Sequence, residues 1–198
     1  MKLNVKEVAV FGMLGAMMYA SKIIMEVFPN IHLLGVFTIA ITVVYRKKAL
    51  YPIYICVFLN GLFSGFAVWW IPYLYIWTIL WGVTMLLPEK IPEKIKPIIF
   101  MCLCSIHGFL FGLLYAPVQA IIFGLGFNGT IALIIAGLPF DFVHGVSNFL
   151  CGMLICPVIA LLKLIKKQSV KFYPGTARDP YCQILLFKSD LTYYIFAI

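Results

Sequence analysis

The chain has 198 residues, of which 64% are hydrophobic and only 11% are charged, and its formal net charge is +8. A soluble domain carries roughly 25% charged residues, and no soluble fold of this size has enough interior to bury so much apolar surface. The composition therefore excludes an ordinary soluble domain and predicts a membrane protein. In such a chain the positive excess reports orientation in the bilayer rather than binding to nucleic acid.

Apolar segments separated by charges and turn residues predict an all-α membrane protein, a bundle of six transmembrane helices. We place them at residues 7–27, 33–46, 50–66, 73–88, 97–124 and 139–165. A helix needs about 20 residues to cross the hydrocarbon core, so the second to fourth are short, and we expect loop residues or neighbouring helices to complete or shield them. Residues 127–137 are interpreted as a short outer loop or half-helix, with Pro139 in the first turn of the last helix.

The six-helix membrane domain is predicted to cover residues 1–167. In residues 168–198 the apolar periodicity fades, and polar, proline and glycine residues interrupt the apolar ones. Their apolar stretches are too short to span a bilayer. We therefore assign residues 168–198 to a C-terminal tail of unknown role.

Basic residues lie on alternate connections of the predicted bundle. The connections around 28–32, 67–72 and 125–138 contain no lysine or arginine, whereas the other connections and both flanks of the bundle are basic. Because positive residues are retained in the cytoplasm, both termini are predicted to be cytoplasmic. The basic residues are Lys2, Lys6, Arg46, Lys47, Lys48, Lys90, Lys94, Lys96, Lys163, Lys166, Lys167 and Lys171.

The last predicted helix carries Asp141, His144 and Asn148 at offsets that place them on one face near the outer end. Ionisable residues are costly inside a membrane and usually face a cavity or a partner. We interpret the three as a polar wall of a substrate pocket. The alternatives are a buried network that fastens this helix, or simple exposure at the interface.

Other polar side chains on the outer side extend this candidate pocket. They are Glu26, Asn30 and His32 at and after the end of the first helix, and Tyr115 and Gln119 on the fifth. Lys22, four residues before Glu26, fits a plain ion pair equally well. His107 lies about 15 Å from the inner end of the fifth helix and is interpreted first as a packing residue.

Residues 66–77 are dense in aromatic side chains at the outer interface. Trp69, Trp70, Tyr73 and Trp77 are candidates for stacking on a planar ligand or closing over it, and Trp81 is a candidate for the pocket below them. The alternative is an aromatic belt, in which such rings sit at the level of the lipid headgroups.

Small residues spaced by four mark one face of the first helix, at Gly12, Ala16 and Ala20. Such a face lets a second helix approach closely. We interpret it as a docking face for a partner subunit, the alternative being ordinary packing inside the bundle. For Gly108 and Gly112 on the fifth helix we prefer the packing interpretation.

The sequence contains no phosphate-binding GxxxxGK[ST] motif, so we expect this chain not to hydrolyse ATP. It also lacks the HExxH and GxSxG patterns of hydrolases and has no CxxC pair. We predict neither enzymatic activity nor a cofactor or metal for the chain itself.

Six spans, cytoplasmic ends and the AxxxA of Ala16 and Ala20 on the first helix resemble the substrate-binding S component of energy-coupling factor (ECF) transporters. The resemblance covers roughly residues 5–167. It implies a subunit of the bacterial plasma membrane that binds a vitamin or related micronutrient near the outer face, with the helix-1 alanines packed on a transmembrane coupling subunit. It also implies two cytoplasmic ATPase partners that use ATP, and a binding subunit that topples in the membrane to release its load.

Two other functions fit the same residues. Asp141, His144 and His107 together suit an intramembrane metal-dependent enzyme. Glu26 and Asp141 suit a solitary proton-coupled carrier or channel.

Overall fold

The computed structural model describes residues 3–28 and 30–171, with side chains as far as Lys167. All regular elements in these ranges are helical, and three short 3-10 turns occur at Arg46–Ala49, Val68–Trp70 and Gly152–Leu154. The helices are α1 (Val5–Met25), α2 (Leu34–Tyr45), α3 (Leu50–Ser64), α4 (Tyr73–Leu86), α5 (Lys96–Phe109), α6 (Phe111–Ile122), α7 (Phe127–Cys151) and α8 (Ile155–Lys171). The predicted domain boundary at residue 167 falls inside α8, and the tail after Lys171 lies outside the described residues.

Four helical segments are long and apolar enough to cross a membrane, which agrees with the predicted class of protein. Judged by length and composition, they are Val5–Met25, Val68–Leu86, Lys96–Ile122 and Phe127–Lys167. The first begins two residues before its predicted start because Asn4 caps it. The Glu7 backbone N–H donates to the Asn4 side chain over 2.8 Å, and the Asn4 backbone N–H donates to the Glu7 carboxylate over 3.2 Å.

The short helix α2 lies in the centre of the bundle. It packs against α1, α4, α5 and α8, and nine of its twelve residues are buried. Its neighbours therefore enclose it on most sides. The helix α2 extends from one end of the bundle to the other.

The predicted fifth helix is two helices that meet at Leu110, α5 and α6. The predicted last helix begins much earlier than residue 139, because Phe127 starts a helix that continues to Cys151. Of the two alternatives for residues 127–137, the loop is therefore wrong, and the residues are helical as in the half-helix alternative, although they continue into the predicted last helix. The chain reverses before them, at Gly124 with a φ of 62° and at the extended Gly126, so the Asn128-Gly129 pair does not interrupt the helix. Pro139 accordingly lies inside α7 rather than in a first turn.

The closest packing in the bundle joins α5 to α7. A Cβ atom on Gly108 would lie 2.9 Å from the backbone oxygen of His144 and 3.0 Å from the Cα of Gly145, so the two backbones nearly touch. The Ser105 hydroxyl donates to the Gly145 backbone oxygen over 2.9 Å at the same crossing. This contact sets α5 and α7 in register for the site described next.

Candidate functional site

All three histidines of the chain meet in one group, the histidine cluster, which consists of the buried His107, His144 and Trp77 and the half-buried His32 and Phe111. His32 precedes α2, whose 12 residues extend about 18 Å to the basic turn at the other end of the bundle. The cluster therefore lies at the end whose connections carry no lysine or arginine. Its members come from one connection and from four different helices.

The five rings contact one another at tilted or edge-to-face angles. His32 and His144 are closest, with ring centroids 4.6 Å apart and planes at 73°, and Phe111 lies 4.9 Å from His144. Trp77 lies 5.9 Å from His32 and 5.6 Å from His107. His107 and Phe111 are 6.2 Å apart. The rings thus form a closed aromatic group in which polar edges meet apolar faces.

Each histidine has a buried ring nitrogen without a hydrogen-bond partner among the described residues: His32 Nδ1, His107 Nδ1 and His144 Nε2. His107 and His144 are only 5% and 3% exposed. His107 Nε2 lies 3.3 Å from the Ile76 backbone oxygen, which only accepts, so Nε2 carries the proton and Nδ1 carries a lone pair. Because buried polar atoms are nearly always paired, three such nitrogens in one cluster make it the candidate functional site.

Two His-Gly pairs in the sequence explain how α5 and α7 bring their imidazoles together. His107 is followed by Gly108, and His144 is followed by Gly145. The glycines form the crossing of the two helices, so the histidine beside each one comes to the same depth. His107 was interpreted first as a packing residue, and Phe111 was not among the predicted site residues. The repeated His-Gly dipeptide is the sequence signal that could have identified His107 as a site residue.

An aromatic wall continues from the histidine cluster towards the end of the molecule. The Tyr73 ring centroid lies 6.0 Å from that of Trp77 and 6.3 Å from that of Phe111. It also lies 5.6 Å from the ring centroid of Trp69. The Tyr115 hydroxyl donates to the Trp69 backbone oxygen over 2.7 Å. Trp69, Tyr73, Trp77 and Tyr115, all named from the sequence, therefore belong to one continuous group.

Two predicted tryptophans lie elsewhere. Trp70 Nε1 donates to the Val57 backbone oxygen over 2.8 Å, which attaches the aromatic turn to α3. Trp81 Nε1 donates to the Arg46 backbone oxygen over 3.2 Å, at the basic end of the bundle. The structure thus does not bring Trp81 to the pocket, because one further turn of α4 moves the ring about 5.4 Å away from Trp77.

Asp141 and Asn148 fasten helices together. Asp141 Oδ1 accepts a hydrogen bond from the Gly112 backbone N–H over 2.9 Å, which caps the start of α6. Asn148 Nδ2 donates to the Cys104 backbone oxygen over 3.4 Å, and its Oδ1 has no partner among the described residues. These contacts favour the alternative of a buried network for Asp141, whereas His144 between them belongs to the histidine cluster.

The remaining predicted site residues lie around the cluster. Asn30 has a left-handed φ of 61°, and its backbone oxygen accepts from the Ser147 hydroxyl over 3.2 Å, so it shapes the turn that carries His32. Glu26 is exposed, and Gln119 is half-buried one turn beyond Tyr115. Lys22 and Glu26 do not appear among the described ion pairs.

His32 is the member of the cluster that lies in a connection between helices. Burial lowers its pKa to about 4, and electrostatic repulsion from His107, whenever both rings are protonated, and from Lys22 acts in the same direction. The ring is therefore neutral at physiological pH, with one nitrogen able to donate and the other able to accept.

Two grooves lie away from the histidine cluster. One, of about 570 Å³, follows the outer face of α3. The other, of about 540 Å³, lies at the basic end and is lined by Glu7, Tyr45, Arg46, Lys47, Lys48, Met85, Glu89 and Lys166. Neither borders Asp141 or His144, whose surroundings are closed by the contacts described above.

The small-residue face of α1 is open. Ala16 and Ala20 are exposed, and a Cβ atom on Gly12 would have no described atom within 4 Å. Gly15, about 100° around the helix from Ala16, is the residue that packs inside the bundle, since a Cβ there would lie 2.5 Å from Ile55 Cγ2. Within the described structure, α1 thus packs on α3 through Gly15 and leaves Gly12, Ala16 and Ala20 uncovered.

Comparison of the chain with protein-family models, with curated proteins and with solved structures finds no match.

Proposed function

We propose that this chain is the substrate-binding S component of an ECF-type importer, which takes up a vitamin or a related micronutrient. The observation that carries the proposal is the histidine cluster. Three buried ring nitrogens without partners represent a desolvation cost that a bound molecule would offset by hydrogen bonding. Trp77, Phe111 and Tyr73 beside them supply apolar surface for a ring.

In this proposal the chain crosses the plasma membrane six times, with both termini in the cytoplasm. The crossings are α1, α2, α3, α4, the α5–α6 pair and the α7–α8 pair. The position of the charges supports this orientation, because Arg46, Lys48 and Lys166 line one groove at the end opposite the histidine cluster. The cluster would then face the outside, where a nutrient is captured.

The open face of α1 supports the coupling part of the proposal. Helices associate in membranes mainly by close packing of small residues, and Gly12, Ala16 and Ala20 are available for it. ATP would be hydrolysed by two partner subunits, since this chain has no phosphate-binding motif. The coupling subunit would pack on Ala16 and Ala20.

The experiment is co-purification of the tagged full chain with a coupling subunit and ATPases from bacterial membranes. Ala16→Trp and Ala20→Trp should abolish recovery of the partners without altering the thermal stability of the chain. Met17→Trp is the matched control, because Met17 is 43% exposed and lies about 100° around the helix from Ala16. Equal recovery with Ala16→Trp and wild type would show that this face is not the docking surface.

Reconstitution separates the proposal from a solitary carrier. Proteoliposomes that contain the chain alone and no ATP should take up none of the small molecule that mass spectrometry identifies in the purified protein. Accumulation driven by a proton gradient in those liposomes would assign the chain to the carrier class instead.

A further inference from the structure

The basic end of the bundle contains a groove that the proposed import function does not use. This basic groove has a volume of about 540 Å³ and is formed by side chains from α1, α2, α4, α8 and the turn at Arg46–Ala49. Its cations are Arg46, Lys47, Lys48 and Lys166, and its carboxylates are those of Glu7 and Glu89. Four cations and two carboxylates leave an excess of two positive charges at neutral pH, which suits an anionic occupant.

The two carboxylates neutralise the basic groove only in part. Glu7 forms an ion pair with Lys48, so these two charges compensate each other. Glu89 approaches Arg46 only to 3.8 Å, and its side chain is 80% exposed. Because water and salt screen an exposed pair of this length, Arg46 keeps most of its field in the groove.

Lys47 and Lys166 supply the charges that a ligand can reach. Lys166 Nζ donates to the Val44 backbone oxygen over 2.8 Å and lies 5.4 Å from the centre of the Tyr45 ring. The hydrogen bond uses one of the three N–H groups of the ammonium, which holds the charge at the groove. Lys47 is exposed, and the ion pairs described for residues 3–28 and 30–167 do not include it. The groove thus offers two ammonium groups that no described carboxylate pairs with directly.

Arg46 has an unfavourable backbone conformation at the same place. Its φ is 52° and its ψ is −123°, a combination that residues other than glycine rarely adopt. The conformation is fixed by three hydrogen bonds: the backbone N–H donates to the Thr42 oxygen, the backbone oxygen accepts from Trp81 Nε1, and the guanidinium donates to the Met85 oxygen. Such strain is concentrated at binding sites, and a guanidinium has five N–H donors in a planar fork that suits a phosphate.

A second groove, the apolar groove, continues from the basic groove along the outer face of α3. It has a volume of about 570 Å³, and Lys47 lines both grooves. The rest of its lining is apolar or aromatic and consists of Leu50, Tyr51, Tyr54, Ile55 and Phe58. From Leu50 to Phe58 the helix rises about 12 Å, which is most of the roughly 15 Å of hydrocarbon in one leaflet. The apolar groove therefore has the length and the lining that fit an acyl chain.

A groove with excess positive charge, joined at one lysine to an apolar groove of leaflet depth, matches the two parts of an anionic phospholipid. We propose that the basic end of the bundle binds one anionic phospholipid, with its phosphate among Arg46, Lys47 and Lys166 and an acyl chain along α3. The headgroup supplies the affinity, because lipid tails are as apolar as the groove and gain little by entering it. In the proposed orientation this end lies in the cytoplasmic leaflet, which carries anionic lipids.

The test is lipid binding by the purified full chain, measured by native mass spectrometry after exchange into an uncharged detergent. Phosphatidylglycerol is the anionic probe. Phosphatidylcholine is the matched lipid, because it has the same phosphodiester and acyl chains but adds a cationic choline. Glycerophosphoglycerol, which is phosphatidylglycerol without its acyl chains, represents a soluble phosphate compound. The thermal midpoint with each probe is the second readout.

We expect one phosphatidylglycerol to bind about tenfold more tightly than phosphatidylcholine and to raise the thermal midpoint. Lys47→Gln and Lys166→Gln should each weaken phosphatidylglycerol by about fivefold, because each removes one basic group beside the headgroup. Lys94→Gln is the matched control, since Lys94 is exposed in the connection between α4 and α5 and lines neither groove. It removes the same charge and should leave the affinity unchanged. The midpoint without lipid shows that each variant is folded.

Three results would overturn the proposal. Equal binding of the two lipids would show that the cations serve another partner, such as an acidic protein surface. Equal losses in Lys94→Gln and Lys47→Gln would show general attraction to the charge of the chain rather than a site. Stabilisation by glycerophosphoglycerol as large as that by the lipid would assign the basic groove to a soluble phosphate compound. The import function stands in each case, because co-purification of the coupling subunits tests it separately.

Discussion

The Asp141 carboxylate accepts a hydrogen bond from the Gly112 backbone N–H, with 2.9 Å between Oδ1 and N. It joins α7 to α6 at the point where the α5–α6 pair is interrupted, and it occupies the space where a side chain on residue 112 would stand. A Cβ atom there would lie 2.3 Å from Asp141 Oδ2. Asp141 therefore pairs one backbone N–H at the start of α6, where the predicted fifth helix is broken.

Gly112→Ala should destabilise the protein, because the added methyl group displaces the Asp141 carboxylate and weakens the cap. We expect a cost of about 1–3 kcal/mol, seen as a lower thermal midpoint in detergent. Gly82→Ala is the matched control, since a Cβ on Gly82 in α4 would meet no atom within 4 Å. Equal midpoints for the two variants would contradict the cap.

The two faces of α1 should respond differently to the same substitution. Gly15→Leu should lower the thermal midpoint strongly, since its Cβ alone would lie 2.5 Å from Ile55 Cγ2 and 3.0 Å from the Pro52 backbone oxygen. Gly12→Leu should leave the midpoint unchanged and reduce co-purification of the partner subunits. A destabilised Gly12→Leu variant would mean that this face packs inside the protein.

Trp77 and Trp81, one turn apart on α4, should differ in their effect on the histidines. Trp77→Phe removes a ring that lies 5.9 Å from His32 and 5.6 Å from His107, so the ¹⁵N signals of both should shift. Trp81→Phe removes a hydrogen bond to the Arg46 backbone oxygen at the other end and should leave all histidine signals in place. Shifts of similar size in both variants would place Trp81 at the cluster after all.

His32 should make the stability of the protein depend on pH. Its pKa is about 4 in the folded protein, against about 6.5 in an unfolded chain, so the unfolded state binds more protons between these values. Its contribution to stability is therefore constant above about pH 6.5 and falls on acidification to about pH 4, by an amount on the order of 3 kcal/mol.

The measurement is the thermal midpoint of wild type and His32→Gln in detergent between pH 4.5 and 7.5. Carboxylates that titrate in the same range affect both proteins alike. The difference between the two thermal midpoints therefore reports the contribution of His32. The midpoint of wild type should fall more steeply on acidification than that of His32→Gln. Parallel curves would show that the His32 ring is accessible to protons in the folded protein.

Helix positions were predictable where local patterns dominate. The ends of α1 to α4 lie within a few residues of their predicted positions, because each is bounded by charges or by turn residues in the sequence. The break at Leu110 and the early start of α7 were not predictable in this way. The first lies where a hydrogen bond joins residues 112 and 141, and the second depends on two glycine conformations at 124 and 126.

The candidate site was predictable in part. His32, His144, Tyr73 and Trp77 were identified because polar and aromatic residues are conspicuous in apolar helices, and the structure brings them together. Trp81 was misplaced because helical spacing fixes the face of a residue but not how far along the helix a pocket extends. Asp141 was predicted to bind a ligand, because a sequence pattern does not reveal that the partner of its carboxylate is a backbone N–H.

The sequence by itself determined that this is a membrane protein, that its helices are apolar and that the basic residues of its connections lie on one side, because these properties follow from composition and spacing alone. Only the tertiary structure decided that three histidines distant in the chain meet around Trp77 and Phe111, and that Asp141 caps α6. The reason is physical: which polar groups are paired in a low-dielectric interior depends on contacts between helices, and here those contacts are set where Gly108 and Gly145 let two backbones touch.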